Sequence, residues 1–307
     1  MNVLITGGAG FIGSHLTEQL LSQGLRVRVL DNLSTGKRGN LPATNEVEFR
    51  QGDIRDPETV RAAVHGMDAI VHLAAVASVQ ASVDDPLSTH AVNFDGTLNL
   101  LEAARHAGIK RFLFAGSAAV YGDCKDLPVR EDVPLRPMTP YASDKLASEH
   151  YLRFYASQYG LNATSFRFFN IFGPRQDPSS PYSGVISIFG SRLASGEQVT
   201  IYGDGRQTRD FVYVGDLARL LSQALGMDTL SGQVINVGRG VESSLLDLIE
   251  AFEKVSGRTL LRAHAPARAG DIRHSCADTT RLRALLGAIP QTELTEGLSA
   301  LWRYQGI

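Results

Sequence analysis

TGGAGFIG, residues 6–13, lies between an apolar strand (residues 3–6, VLIT) and a helical pattern over 14–22 that puts Leu16, Leu20 and Leu21 on one face. Gly7, Gly10 and Gly13 give the spacing GxxGxxG, and Gly8, Gly10 and Gly13 also satisfy GxGxxG. Missing side chains permit a tight turn, let backbone N–H groups approach a pyrophosphate, and let the helix pack close to the strand. The helix N-terminus then faces the anion. A glycine-rich βα turn without a ligand has the same spelling, so the loop needs a second signal.

Asp31 supplies it. It ends the second strand (26–30), where a carboxylate accepts hydrogen bonds from adenosine ribose hydroxyls and repels a 2′-phosphate. The pair favours NAD over NADP. Lys37 and Arg38 nearby read either as a phosphate-tolerant pocket or as a solvated loop. Asp53, in GDIRD, either faces the adenine or belongs to a helix-capping turn.

Outward from this point the chain keeps alternating. Strands are expected at 47–50, 69–73, 112–115 and 163–168. Helices are expected after Asp56 with Pro57 in the first turn, over 92–106 before Gly108, and over 141–159 before Gly160. Apolar strands alternating with helices imply a parallel sheet covered on both faces, a doubly wound α/β (Rossmann) fold. After Asn170 the rhythm changes. Residues 173–184 read as a long loop, followed by a helix (185–194), a strand (199–202) and a Gly-Asp-Gly turn. Apolar strands at 211–214 and 233–237 read as returning to the first domain. The expected division is 1–170 plus about 211–238 for the dinucleotide domain. About 171–210 and 240–307 then form a smaller α/β lobe.

Composition narrows the function classes. Thirty Lys+Arg against 32 Asp+Glu leave a net charge of −2, which argues against a nucleic-acid binder relying on a positive field. Two cysteines, Cys124 and Cys276, are too few for a disulfide scaffold. No apolar run reaches the length of a membrane span, and the N-terminus reads as a strand rather than a signal peptide. The expectation is a cytoplasmic globular protein. The eight histidines show no metal-ligand spacing, and His72, inside an apolar strand, reads as a core residue.

Tyr141 and Lys145 stand four apart at a helix start, on one face. A free phenol titrates near 10, too high for a base at neutral pH. A neighbouring ammonium and a cationic nicotinamide ring both favour the phenolate. Such a tyrosine can take a proton from a substrate hydroxyl while hydride leaves the same carbon. Ser117 ends the strand before it, in the crevice where α/β sheets bind ligands, placed to hydrogen-bond the reacting oxygen.

With these residues in place, TGGAGFIG, VHLAA, SAAVYG, YASDK, RFFNIFGP and RDFVYVGD, in this order, resemble the extended short-chain dehydrogenase/reductases and, within them, the UDP-hexose 4-epimerase family. The resemblance spans about residues 2–304. It implies tightly bound NAD and a C-terminal lobe that binds a UDP-sugar. It also implies a homodimer through the helices containing 92–106 and 141–159. By the same resemblance Ser117, Tyr141 and Lys145 are catalytic. Phe11, Ile12, Asn32, Ile54, Leu73, Ala74, Ala75 and Asn93 join the glycines, Asp31 and Asp53 around NAD. Asn170, Val185, Tyr202, Arg209, Arg268, Asp271 and Ser275 are implied to line the sugar-nucleotide site. Arg209 and Arg268 fit the diphosphate, since a guanidinium fork matches phosphate oxygens.

The reaction implied is inversion at sugar C4, with NAD regenerated each turnover. Dehydratases and decarboxylases of the same family place acidic residues after the catalytic hydroxyl, where this chain has Ala118 and Ala119. A non-catalytic NAD-binding scaffold on the same fold is disfavoured by the Tyr141/Lys145 pair. By the resemblance, Ser275 matches the position that in the epimerase family closes the pocket beside the sugar C2 substituent. A small residue there implies N-acetylated sugars, the UDP-GlcNAc/UDP-GalNAc pair, with UDP-glucose/UDP-galactose as the alternative. The flanking His274 and the loop RQDPSSPYSGV resemble the same branch.

Overall fold

A computed structural model describes residues 1–177, 184–267 and 272–305. The first half runs β1 (Asn2–Thr6), α1 (Phe11–Ser22), β2 (Arg26–Asp31), β3 (Val47–Gln51), α2 (Pro57–Val64) and β4 (Ala69–His72). It continues through α3 (Val79–Asp84), α4 (Pro86–His90), α5 (Gly96–His106), β5 (Arg111–Ser117), α6 (Pro140–Tyr159) and β6 (Asn162–Phe168). The second half comprises β7 (Asn170–Phe172), α7 (Val185–Ser195), β8 (Val199–Tyr202), β9 (Thr208–Arg209), β10 (Phe211–Tyr213) and α8 (Val214–Leu225). β11 (Val234–Val237), β12 (Ser243–Ser244), α9 (Leu245–Ser256), β13 (Arg262–Ala265), α10 (Thr280–Leu286) and α11 (Leu294–Tyr304) complete it.

Seven parallel strands form one sheet in the order β3-β2-β1-β4-β5-β6-β11. Every residue of β4 and β11 is buried, because helices cover both faces of a parallel sheet. One apolar layer joins Leu16 and Leu20 of α1 to Leu217 and Leu221 of α8. The opposite layer joins Val60 of α2, Leu100 of α5 and Leu152 of α6 to Phe112 and Phe114 of β5. The chain runs outward from β1 through β2 to β3, then crosses back to β4. The crevice at the carboxyl ends of β1 and β4 is therefore the switch point where such sheets bind ligands.

Several elements differ from the sequence reading. Residues 79–90 form two short helices, capped by Ser78 and Asp85, that no long apolar period announced. Residues 91–95 wind as a π-helical turn ahead of α5. Of the two returning strands, β11 joins the main sheet beside β6. β10 instead pairs with β7, and Phe211 is buried in the second lobe with Phe172, Phe189, Phe252 and Trp302. α10 sends Leu282 and Leu286 into the core around β1, so the C-terminal stretch is shared between the two cores.

Candidate active site

The glycine loop is shaped by close approaches. Gly7 has φ +70°, and a Cβ there would lie 2.7 Å from the Ala74 nitrogen. A Cβ on Gly13 would lie 2.3 Å from the Gly7 oxygen, so α1 packs on the loop only because that side chain is missing. Gly10 occupies the N-cap of α1 and, lacking a side chain, supplies no capping bond to its first N–H groups. Those amides form an anion site at the end of β1.

Asp31 is buried, with Oδ2 accepting from Ala9 N (2.9 Å) and Oδ1 from Leu33 N (2.8 Å). Each oxygen keeps a further lone pair for a ribose hydroxyl. Of the two cations behind it, Arg38 lies on the Phe49 ring (4.4 Å) and the Lys37 ammonium approaches Asp177 (3.5 Å). Asp53 accepts from the Arg55 backbone (2.9 Å), the Arg55 guanidinium (2.8 and 3.0 Å) and Asn32 Nδ2 (2.9 Å). The hydrogen bonds from the Arg55 side chain, more than any other contact, hold its carboxyl well below the usual carboxylate range. These bonds account for Asp53 as the organiser of a turn that also fixes Asn32. Ile54 is buried against Gly96, where a Cβ would come within 2.6 Å of it.

Leu73, Ala74 and Ala75 follow β4 and are held from two sides. Leu73 N donates to Thr6 O (3.1 Å), and Asn93, in the π-helical turn, closes two bonds with the Val76 backbone (2.8 and 3.1 Å). His72 lies behind them as the core residue expected, bonded to Thr6 Oγ1 (2.7 Å) and Thr97 Oγ1 (2.9 Å). Burial pushes its pKa well below the ordinary value. Among the described residues no cluster of three or more His, Cys, Asp or Glu suits a metal, and no helix is long and apolar enough to cross a membrane.

Ser117 ends β5 on the other side of the crevice, and its Oγ accepts from Ala119 N (3.2 Å). Tyr141 is the second residue of α6, a helix opened by Thr139 and Pro140, and its phenol is near enough to Ser117 for the serine to favour the phenolate. Lys145, one turn on, is buried with Nζ 4.7 Å from the Phe114 ring centroid and 5.9 Å from that of Tyr141. The fold thus brings Ser117, Tyr141 and Lys145 together. Burial acts on both titrating groups. Burial pushes the Tyr141 phenol up, opposed by the Ser117 hydrogen bond. Burial also pulls Lys145 down to about 8, opposed by the charges of Asp144 and Glu149. Desolvation is thus the largest influence on the phenol in the chain by itself, and the lowering expected from the ammonium and a nicotinamide ring together would have to outweigh it. A cationic nicotinamide ring held in this crevice would add to that lowering.

Behind this pair, Arg167 and Glu149 form a fully buried ion pair (2.7 Å) that extends to Tyr121 OH (2.9 Å). Asn236 on β11 donates to Val129 O (2.8 Å), so the stretch after Ser117 is fastened to the sheet.

In the second lobe Asn170 is exposed at the start of β7, Val185 opens α7 and Tyr202 ends β8. Arg209 in β9 donates from Nη1 to Thr208 O and Ile272 O (2.8 Å each). Ser275 is half-buried, three residues beyond Ile272, and the neighbouring His274 ring lies 3.0 Å from Thr208 Oγ1. Arg209 and Ser275 are thereby held on one local frame. Arg268, Asp271 and residues 178–183 of RQDPSSPYSGV lie outside the described residues.

Two features gave no sequence signal. Asp210, fully buried, accepts from Arg239 N (2.8 Å), Gly240 N (2.9 Å) and Ala277 N (3.1 Å), joining three distant segments beside Arg209. Residues 174–177 are tied to the dinucleotide half at three points. The Pro174 carbonyl meets His15 Nε2 (3.0 Å), Arg175 pairs with Glu18, and Asp177 approaches Lys37. Lys37 in turn donates its backbone N–H to Ala9 O in the glycine loop (3.0 Å).

A family model described as the NAD dependent epimerase/dehydratase family matches residues 3–238. The chain belongs to that family. A UDP-glucose 4-epimerase of Mycolicibacterium smegmatis is 41% identical over 304 residues, covering 97% of this chain and 96% of the relative. Among solved structures, the Thermotoga maritima UDP-glucose 4-epimerase with UDP-glucose superposes at TM-score 0.95 and 38% identity, covering 100% of this chain and 99% of that one. The UDP-N-acetylglucosamine 4-epimerase of Methanobrevibacter ruminantium M1, in complex with UDP-N-acetylmuramic acid, superposes at 0.94 and 36% identity with the same coverage. The cofactor of this family member is NAD, and the bare helix N-terminus over Gly10 together with the spare lone pairs of Asp31 fit it.

Proposed function

We propose that the protein inverts C4 of a UDP-sugar, and that its preferred pair is UDP-GlcNAc/UDP-GalNAc. Ser117 positions the sugar O4 against Tyr141, and Tyr141 exchanges the O4 proton as base and then as acid. Lys145 holds positive charge beneath the phenol. NAD, when bound, would supply the hydride acceptor and donor for C4 and the charge of its nicotinamide ring. Arg209 holds the diphosphate end, so the ketosugar can turn over without leaving. Ala118 and Ala119 place no carboxylate beside Ser117, which sets this site apart from elimination or decarboxylation.

The observation that carries the sugar preference is Ser275, half-buried on the segment pinned to Arg209. A hydroxymethyl leaves room beside C2 that a large side chain would fill, and an acetamido group needs that room. The Methanobrevibacter relative named as a UDP-N-acetylglucosamine 4-epimerase supports this reading. A second reading, UDP-glucose/UDP-galactose, is favoured by the names of the Mycolicibacterium and Thermotoga relatives. Measuring kcat/KM for both pairs decides: a higher value for the non-acetylated pair overturns the N-acetyl preference. A homodimer is part of the proposal. Tyr151, Phe154 and Tyr159 lie 41–49% exposed along α6, an apolar stripe that a second copy would cover. A monomer in equilibrium sedimentation would refute it.

A further inference from the structure

The buried pair Glu149–Arg167 joins the two elements that bring Ser117 to Tyr141. On α6, Tyr141, Lys145 and Glu149 recur at four-residue spacing, one stripe of the helix. Glu149 is the point where that stripe is bonded to the sheet. Its Oε1 accepts from Ser165 Oγ (3.2 Å) and Arg167 Nε (3.0 Å), and its Oε2 from Arg167 Nη2 (2.7 Å). Arg167 stands opposite Gly116 in the pairing of β6 with β5, one register position before Ser117 meets Phe168. A Cβ on Gly116 would lie 3.0 Å from Glu149 Oε1, so the carboxylate is seated against the backbone just ahead of Ser117. The other arm of the guanidinium reaches the turn that follows Ser117. Its Nη1 donates to Tyr121 OH (2.9 Å), and that hydroxyl donates to Asn236 Oδ1 on β11 (2.5 Å).

Stability alone does not account for this pair. The two side chains are 1% and 2% exposed, and charges taken that far out of water repay little beyond their own desolvation. Well-packed apolar residues of similar volume commonly hold a core as well. What the guanidinium fork adds is direction, because two parallel N–H···O bonds fix distance and angle together. Direction matters here: a reacting group displaced by about 1 Å can lose about 10²-fold in rate.

We propose that Glu149 and Arg167 are positioning residues whose ion pair locks α6 to the end of β5, and so sets the approach of the Tyr141 hydroxyl to an oxygen held at Ser117. The proposal rests on the reading above, in which Ser117 and Tyr141 act on a UDP-sugar.

The test replaces the pair by apolar side chains of similar volume, Glu149→Met with Arg167→Met. Ser165→Ala is added, so that no buried hydroxyl is left without its acceptor. C4 inversion of UDP-GlcNAc and of UDP-galactose is followed in the NAD-loaded enzyme, with kcat counted per bound NAD. Tm and NAD content should stay close to wild type and KM within about threefold, while kcat falls by about tenfold or more. Arg167→Lys keeps the cation but gives up the fork, and decides the matter should the triple variant fail to fold. It should lower kcat by about threefold or more at unchanged KM. Wild-type kcat in the folded triple variant, or in Arg167→Lys where only that one folds, overturns the proposal, because the pair then serves stability alone. A loss that appears in KM or in NAD content instead overturns it as well. Failure of both variants to fold would make the pair a requirement of the fold and have the same consequence. A wild-type enzyme that inverts neither sugar, or that keeps its kcat in Tyr141→Phe, overturns the underlying reading and the proposal with it.

Discussion

The Asn93 side chain closes a ring of two hydrogen bonds with the backbone of Val76, accepting from its N–H at 2.8 Å and donating to its C=O at 3.1 Å. Residues 73–76 carry no secondary structure of their own at that point, so Asn93 substitutes for a missing strand partner. Asn93→Ala leaves both Val76 groups without their partner at a part-buried site, a loss of about 1 kcal/mol. The expected result is a lower Tm and faster loss of NAD during gel filtration. Retention of both at wild-type values would show that the ring does not hold the segment.

Tyr141→Phe removes the phenol hydroxyl beside Ser117 and leaves the ring in place. kcat should fall by at least about 10²-fold, the usual scale for a lost proton-transfer group, with NAD still bound. Near wild-type turnover would take Tyr141 out of the reaction.

Asp31→Ala has two consequences in this loop. It removes the acceptor of Ala9 N and Leu33 N as well as the carboxylate expected to meet the ribose. NAD affinity should fall by about tenfold or more, equivalent to ~1.4 kcal/mol, while the preference against NADP narrows because a like charge is gone. An unchanged NAD/NADP ratio in a binding titration would contradict the assignment.

Ser275→Tyr should abolish turnover of the N-acetylated pair and spare that of UDP-galactose, because a phenol ring fills the acetamido space. Comparing kcat/KM for both pairs in both proteins reads it. An unchanged ratio removes Ser275 from the sugar pocket.

Lys145 is costly to the fold in the absence of cofactor. Its folded pKa, pulled down to about 8 by burial, lies below the ordinary lysine value near 10.4. Between those two values the unfolded chain binds more protons, so stability rises with pH across that window. Lys145→Met removes the penalty. Its Tm without NAD should exceed wild type at pH 7, and the gap should shrink toward pH 10. A lower Tm at pH 7 would mean that the ammonium is better solvated than its burial indicates.

Much of the first lobe was legible because each strand carries its own apolar run, and because turns such as Asp56–Pro57 cap themselves with neighbouring residues. Ser117 and Tyr141 could be paired on paper since both sit at ends of long elements. Two- and three-residue strands were another matter. β10 finds β7, and β9 finds β12, through contacts 34 to 41 residues apart in the chain, and no local period encodes such pairing. Asp210 looked like any acid in RDFVYV, because the three N–H groups that hold it belong to residues 239, 240 and 277. The desolvation of Tyr141 was hidden for a related reason: charge can be counted in a sequence, but burial cannot.

The three ties from residues 174–177 to His15, Glu18 and Lys37 bear on traffic. They cross from the first turns of α1 to the loop behind Asp31, the two elements between which a dinucleotide extends. A dehydrogenase must let its nicotinamide out after every turnover, and such a clasp would throttle it. An isomerase ends each cycle with the oxidised coenzyme it began with. For that chemistry a door that stays shut costs no speed.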